Sequence, residues 1–127
     1  MHSSIFLFIF LLLPGIAVAT EWEPLIESQA TSLSIDSDSY AENGIYSSML
    51  AKLETEGVPR TIKHMRLEFD CRKQLYRTLE TTFFDAQGKL LRQSSNRTAL
   101  QPVQLDEHAN VMADLVCQVR RMVNPLP

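Results

Sequence analysis

The sequence predicts an α+β fold in which an antiparallel sheet of about six strands packs one face against a C-terminal helix. Three observations support this prediction. Apolar residues alternate in several short segments, turn residues separate these segments, and the last segment has a helical period. Strands that follow one another through tight turns form an antiparallel meander, because parallel strands need longer crossover connections.

The first 19 residues have the pattern of a secretory signal peptide. An apolar run from Ile5 to Leu13 precedes Ala17-Val18-Ala19, the small-x-small pattern that signal peptidase cleaves. The run is shorter than the roughly 20 apolar residues that span a bilayer. We therefore expect export to the periplasm or the cell surface, no stable membrane insertion of the exported chain, and a single domain over residues 20–127.

Charge and cysteine content indicate which class of partner to exclude and whether the cysteines are oxidised. The formal net charge is −3, whereas binding to nucleic acid requires a clustered basic surface, so we expect no nucleic-acid partner. Export places the chain in an oxidising compartment, where disulfides persist. Because two cysteines allow only one intramolecular pair, we predict a disulfide between Cys71 and Cys117.

The clearest strand pattern begins at Met65, where the apolar residues Met65, Leu67, Phe69 and Cys71 alternate with polar ones. This pattern predicts that the Cys71 side chain points towards the core. An Asn43-Gly44 pair predicts a tight hairpin turn. In order, the predicted strands cover residues 22–27, 31–35, 45–54, 62–70, 74–84 and 89–92.

The acidic segment Asp36 to Ser39 resembles the opening of a calcium-binding EF-hand loop. It lacks the glycine at the sixth position, and Ser47 stands where the bidentate acid belongs. We therefore interpret the segment as an Asx-turn connection between strands and expect no metal.

The helix is predicted to begin at Asp106 or Glu107, to carry Arg120-Arg121 in its last turn and to end before Asn124. Its predicted sheet-facing side consists of Leu105, Ala109, Met112, Ala113, Val116 and Cys117.

A second apolar stripe on the helix consists of Val111, Leu115, Val119 and Met122. Two interpretations remain open: a curled sheet covers the stripe, or the stripe forms a surface for a partner protein or a homodimer.

Arg77 is the most unusual charged residue because it lies in phase with Cys71. If the strand is continuous, its guanidinium points inward and needs a carboxylate, for which Asp114 and Glu107 are candidates. If a bulge near Arg72-Lys73 shifts the register, Arg77 is exposed instead.

No catalytic signature is present in the sequence, which contains no G-x-S-x-G, H-E-x-x-H, C-x-x-C or Gly-rich phosphate loop. We expect His64 and His108 to be solvated surface residues, so we predict no enzyme, no catalytic residue and no cofactor. A haem or small-ligand carrier that uses one of these histidines with Met65 and Met112 is a remote alternative.

Several segments together resemble the bacterial surface-adhesin protein E family. These are Trp22, the I-D-x-D-S-Y turn from Ile35 to Tyr40, the block from Phe69 to Leu79, the D-x-x-G-K turn from Asp85 to Lys89, and the helix ending in Val116-Cys117. The resemblance implies a sheet of about six strands with a C-terminal helix tethered by a disulfide, and adhesion to host matrix and plasma proteins. Leu100 and Leu105-Asp106-Glu107 replace a tryptophan and a P-G-S segment that are frequent in the family, which indicates a distant member.

Two functional hypotheses follow. The first is an exported bacterial binding module, adhesin-like and without catalytic activity, whose partner is a host matrix protein or an envelope protein. The alternative is a periplasmic structural or assembly protein that acts through the apolar stripe of the helix.

Overall fold

Seven antiparallel strands, one α-helix and a 3-10 helix at Val103–Leu105 make up the regular structure of residues 20–125, which are the residues that the computed structural model describes. The predicted signal peptide, residues 1–19, lies outside the described residues. The elements are β1 Glu23–Glu27, β2 Thr31–Asn43, β3 Tyr46–Thr55, β4 Thr61–Asp70, β5 Leu75–Phe84, β6 Leu90–Ser94, β7 Gln101–Pro102 and α1 Glu107–Val123. The predicted α+β fold is confirmed.

The sheet is a meander in which each strand pairs with the next, in the order β1-β2-β3-β4-β5-β6, while the short β7 pairs with β5. Gly44 has a φ of 62° in the turn between β2 and β3, a conformation that glycine adopts without steric cost. The predicted hairpin at Asn43-Gly44 is therefore present. β3 and β4 lie in the middle of the sheet and run side by side over their whole length.

β2 is longer than predicted, because the segment interpreted as a connection is a bulge within one strand. Asp36 pairs with Leu50, but the next paired residue of β2 is Ala41. Within the bulge Asp36 Oδ1 accepts a hydrogen bond from the Asp38 amide at 3.2 Å. The Ser39 hydroxyl accepts a hydrogen bond from the Leu50 amide at 2.8 Å and so replaces a missing ladder bond. The Asx turn thus bends the strand without ending it.

One face of the sheet packs against α1 and forms the core. Full burial of a large apolar side chain stabilises a fold by roughly 1.5–3 kcal/mol, so this face contributes much of the stability. The core residues of the sheet are Leu33, Ile35, Met49, Ala51, Leu53, Leu67, Phe69 and Tyr76, and those that pack on them from α1 are Ala109, Met112, Ala113, Val116 and Cys117.

The helix begins where it was predicted to begin. Asp106 is the N-cap, and its Oδ1 accepts a hydrogen bond from the Ala109 amide at 2.9 Å. Leu105 was predicted on the inner face but is 74% exposed, because it precedes the extended N-cap and does not follow the helical phase. Val103, which is 1% exposed, fills the core at this end instead.

The predicted disulfide between Cys71 and Cys117 is present, with the two Cα atoms 5.6 Å apart. Cys71 lies in the turn between β4 and β5, and Cys117 lies on the buried side of α1. The bond therefore fastens the C-terminal half of the helix to the end of the central strand β4.

Replacing both cysteines, Cys71→Ser with Cys117→Ser, is expected to lower the free energy of unfolding by about 4 kcal/mol. The reason is that the unfolded chain then loses a covalent loop with a sequence separation of 46 residues. Urea unfolding followed by circular dichroism measures the change. Dithiothreitol provides the control: it should destabilise the wild-type protein and leave the double variant unchanged. Equal stability of the two proteins without reductant would contradict the structural role of the bond.

Candidate functional site

The face of the sheet that α1 does not cover carries long polar and aromatic side chains. Successive residues of a strand point to opposite faces, so Glu68 points away from the core that holds Leu67 and Phe69. Residues paired across strands share a face. We call this surface the open face, and its principal side chains are Trp22, Tyr46, Ser48, Lys52, His64, Arg66, Glu68, Arg77 and Phe84. Within residues 20–125 no helix lies over it.

An ion pair occupies the middle of the open face. Glu68 and Arg77 are opposite each other on β4 and β5, and Arg77 Nε and Nη2 each lie 2.8 Å from Glu68 Oε1. The Glu68 side chain is only 3% exposed and that of Arg77 is 22% exposed. The Arg77 guanidinium also stacks over the Tyr46 ring, 4.8 Å from its centroid.

The structure corrects the predicted environment of Arg77. Its partner is neither Asp114, which is exposed on the helix, nor Glu107, but Glu68 of the neighbouring strand. The phase from Cys71 does not continue, because a turn separates Cys71 from β5. The register between β4 and β5 shifts at the partners of Arg66 and Leu67. This shift comes after Arg77 along β5, so Arg77 stays opposite a residue of the open face.

Arg66 is a second cation of the open face, and it has no carboxylate partner within 4.0 Å among residues 20–125. Its Nη1 donates to the Ser39 carbonyl at 3.2 Å and to the Ser48 hydroxyl at 3.3 Å. Both acceptors are neutral, so they orient the guanidinium without cancelling its charge. The open face therefore presents one arginine in a close ion pair and a second, Arg66, that lies opposite Glu80 of β5 but forms no ion pair within 4.0 Å among residues 20–125.

An aromatic cluster lies beside these charges. The ring centroids of Trp22 and His64 are 4.9 Å apart, those of His64 and Phe84 are 4.5 Å apart, and Lys52 Nζ lies 5.2 Å from the Trp22 ring. His64 was expected to be solvated, but it is packed between two aromatic rings. Burial lowers the pKa of His64, and the positive charge of Lys52 lowers it further, whereas Glu54 acts in the opposite direction.

Only part of the second apolar stripe of the helix is covered in the fold. Leu115 and Val119 are half-buried and pack against the core, and Val111 is half-buried as well. Met122, at the end of α1, is 75% exposed. The stripe is thus partly covered, and docking of a partner or a homodimer on it stays a prediction.

The residues named for a ligand carrier are not all brought together. His64 lies on the open face, whereas Met112 is fully buried on the core side. His108, Met65 and Met112 do line one cavity of about 170 Å³. This volume is below the roughly 300 Å³ at which small-molecule sites begin, so the cavity is too small for haem. Among residues 20–125 no three His, Cys, Asp or Glu side chains form a group that could hold a metal ion.

Three buried charged residues were missed by the sequence analysis, Glu68, Asp70 and Arg120. Asp70 is 3% exposed, and its Oδ1 accepts hydrogen bonds from the Arg72 and Lys73 amides, each at 3.1 Å. Glu68 gave no signal, because alternation places it among polar residues. Arg120 is 9% exposed, and it donates to the Gly44 and Tyr46 carbonyls and to the Ser47 hydroxyl. Its spacing of four residues from the buried Val116 could have revealed its inward direction.

Replacing Arg77 with alanine is expected to destabilise the protein by about 3 kcal/mol, because Glu68 then stays buried without a counter-charge. Adding Glu68→Gln should restore part of the loss, since the remaining group is neutral. Urea unfolding of the two single variants and the double variant gives the coupling energy. Arg97→Ala, at an exposed position, is the matched control and should change stability by less than about 0.5 kcal/mol. An equally small effect of Arg77→Ala would show that the pair does not stabilise the fold.

The packing of His64 predicts a pH dependence. Because its folded pKa lies below the ordinary value of 6.5, the unfolded chain binds the proton more tightly, and stability falls as the pH drops below 6.5 towards the folded pKa. The decrease in Tm between about pH 7.5 and about pH 5.5 should be smaller in His64→Phe, which keeps an aromatic ring without a titrating group. His108→Gln is the control for removal of a histidine at another site. The prediction is wrong if His64→Phe and the wild type lose the same amount.

The sequence comparison covers the same strands and helix that build this surface. Residues 22–118 match the family described as surface-adhesin protein E. No curated protein and no solved structure matches the chain at a significant level. In the described part of the chain, no helix has the length and apolar character needed to cross a membrane. Because the matched residues include every strand and most of α1, the chain belongs to the surface-adhesin protein E family.

Proposed function

We propose that this chain is an exported, non-catalytic binding module that recognises a protein partner at the bacterial surface through its open face. Membership of a surface-adhesin family supports an exported location and a binding role. The observation that carries the choice of surface is the concentration of tryptophan, tyrosine and arginine on the face that α1 leaves uncovered. These are the residue types in which the binding energy of protein interfaces is concentrated.

Rigidity supports this assignment. The open-face side chains hold one another in place before any partner arrives: Arg77 is fixed by Glu68 and Tyr46, and His64 is fixed by Trp22 and Phe84. All of them project from paired strands or pack on one. A surface organised in this way loses little conformational entropy on binding.

The chemistry of the open face favours binding over catalysis. Its buried carboxylate, Glu68, is neutralised by Arg77, and its imidazole, His64, is packed against aromatic rings. Neither group is placed as a base beside a nucleophile. Arg66 donates only to neutral acceptors and forms no ion pair within 4.0 Å among residues 20–125, so the partner that fits best presents a carboxylate next to an apolar or aromatic segment, as a matrix protein of a host or a protein of the envelope can do.

Trp22→Ala and Arg66→Ala are each expected to weaken partner binding, with a loss of about 30-fold for a residue at the centre of an interface. The protein expressed from the full chain is tested by surface plasmon resonance against a panel of purified host matrix and plasma proteins. Met122→Ala, which changes an exposed side chain at the end of α1, is the matched control and should bind like the wild type. Circular dichroism establishes that each variant is folded.

Two results would contradict the proposal. The first is binding that depends on Met122 and not on Trp22 or Arg66. The second is the absence of binding to the whole panel together with a purely periplasmic location of the protein in fractionated cells.

The alternative, a periplasmic structural or assembly protein, rests on the exposed apolar end of α1. Met122 is 75% exposed and the neighbouring Val123 is 64% exposed. Leu115 and Val119 are already packed against the core, so the apolar area left for docking is small. A homodimer through this end would dissociate in Met122→Asp on sizing chromatography.

A further inference from the structure

A cleft lies at the C-terminal end of α1, on the side of the sheet opposite the open face. Its volume is about 360 Å³, within the range of roughly 300–1,000 Å³ in which small-molecule sites fall. The disulfide of Cys71 and Cys117 and the side chain of Ile45 supply apolar wall. Ile45 is 52% exposed in the turn that follows β2.

Three arginines, Arg72, Arg120 and Arg121, line the same cleft, and no acidic residue is among its lining residues. The chain as a whole has a formal net charge of −3, so this accumulation of positive charge is local. Arg72 and Arg121 are exposed, and their guanidinium groups form no ion pair or hydrogen bond with any residue in the range 20–125. Like charges that converge on a concave apolar surface raise the local concentration of an anion.

Arg120 is held in the wall of the cleft without being neutralised. Its three hydrogen bonds go to neutral acceptors, the Gly44 carbonyl at 2.9 Å, the Tyr46 carbonyl at 3.2 Å and the Ser47 hydroxyl at 2.9 Å. A guanidinium has five N–H donors, so the Nε hydrogen and one Nη2 hydrogen have no partner among the described residues. Arg120 Nε is not among the buried donors that lack a partner, so solvent reaches it, and an anion in the cleft would replace that water and supply the counter-charge that the three neutral acceptors do not.

Two neighbouring acids, Asp70 and Glu42, do not replace this anion. Asp70 Oδ1 accepts hydrogen bonds from the Arg72 and Lys73 amides, each at 3.1 Å, and Asp70 does not line the cleft. Glu42 accepts a hydrogen bond from Asn124, at the edge of the cleft, over 3.4 Å. It also accepts one from the Tyr40 hydroxyl at 2.7 Å. It does not line the cleft, and it forms no ion pair with Arg120 within 4.0 Å. The positive charge of the cleft is therefore open to a ligand.

We propose that this cleft binds an aliphatic carboxylate of medium chain length, with the carboxylate at the arginines and the chain against Ile45 and the disulfide. The planar guanidinium pairs with a carboxylate through two parallel hydrogen bonds. A doubly charged phosphate would lose more hydration on entering a largely apolar cleft, so the carboxylate is favoured. The inference goes beyond the proposed function, because the cleft and the open face share no residue.

Isothermal titration calorimetry of the protein expressed from the full chain, with sodium decanoate below its micelle concentration, tests the proposal. We expect one saturable site, and about tenfold or greater weakening in the double variant Arg72→Gln with Arg121→Gln. Both positions are exposed, so the variant keeps its fold, which thermal unfolding verifies. The matched control removes two exposed arginines elsewhere, Arg92→Gln with Arg97→Gln, and should retain wild-type affinity.

Three further ligands separate the contributions of the head group and of the chain to the affinity. Acetate carries the head group alone and decanol the chain alone, and each should bind at least about tenfold more weakly than decanoate. Decyl phosphate should not bind more tightly than decanoate. Ile45→Glu, at an exposed position, should abolish decanoate binding, because a hydrated carboxylate replaces the apolar wall that the chain contacts and can itself pair with the arginines of the cleft.

The proposal is overturned if decanoate shows no saturable binding up to about 1 mM. It is also overturned if decanol binds as well as decanoate, if both double variants bind equally, or if Ile45→Glu has no effect. Tighter binding of decyl phosphate would overturn the assignment of a carboxylate. None of these outcomes involves Trp22 or Arg66, so they are distinguishable from a failure of the proposed function.

Discussion

The apolar side chains that alternate along the central strands determine which side of the sheet is inside the molecule, and the covalent tie between Cys71 and Cys117 holds the helix on that side. A meander of this kind has two faces, and a single helix can cover only one of them. The disulfide fastens α1 at the end of β4, over the apolar side chains that alternate with Glu68, while Glu68 itself faces outward. The open face, the core and the cleft at the helix end all follow from this packing of one helix on one face.

Two of the buried charged residues, Glu68 and Arg120, are stabilised in different ways. Glu68 is compensated by a cross-strand arginine whose guanidinium lies 2.8 Å away, which makes the pair part of the architecture of the open face. Arg120 donates three of its five N–H hydrogens to two carbonyls and a hydroxyl, which orient the guanidinium and leave its charge without a counter-charge. A compensated charge is suited to a rigid structural role, whereas an uncompensated one is suited to attract a ligand.

The two surfaces that result differ in kind. The open face is broad, with rows of aromatic and charged side chains on paired strands, which is the geometry of a surface that contacts another protein. The cleft is small and concave, with apolar walls and arginines around it, which is the geometry of a site for a small anion. They lie on opposite sides of the sheet, so a protein partner and a small ligand could be bound without competing for the same residues.

The sequence by itself determined the elements and the covalent connection. Period-2 alternation around Leu67 and Phe69 located the central strand, the Asn43-Gly44 pair located a hairpin, and the only two cysteines had one way to pair. Asp106 marked the start of the helix through its capping hydrogen bond with Ala109. These features depend on neighbours a few residues apart or on the small number of alternatives, so they can be inferred from the order of residues.

The tertiary structure alone decided the partners across strands. Arg77 reaches Glu68 because of the register of β4 and β5, and His64 lies between rings that come from β5 and from the residue before β1. The bulge after Asp36 keeps β2 continuous through a hydrogen bond from Leu50 on the next strand. A shift of one residue in register exchanges the two faces of a strand, and such shifts leave no local pattern in the sequence. The six main strands could therefore be located from the sequence, but the short β7, the full length of β2 and the composition of the open face and of the cleft could not.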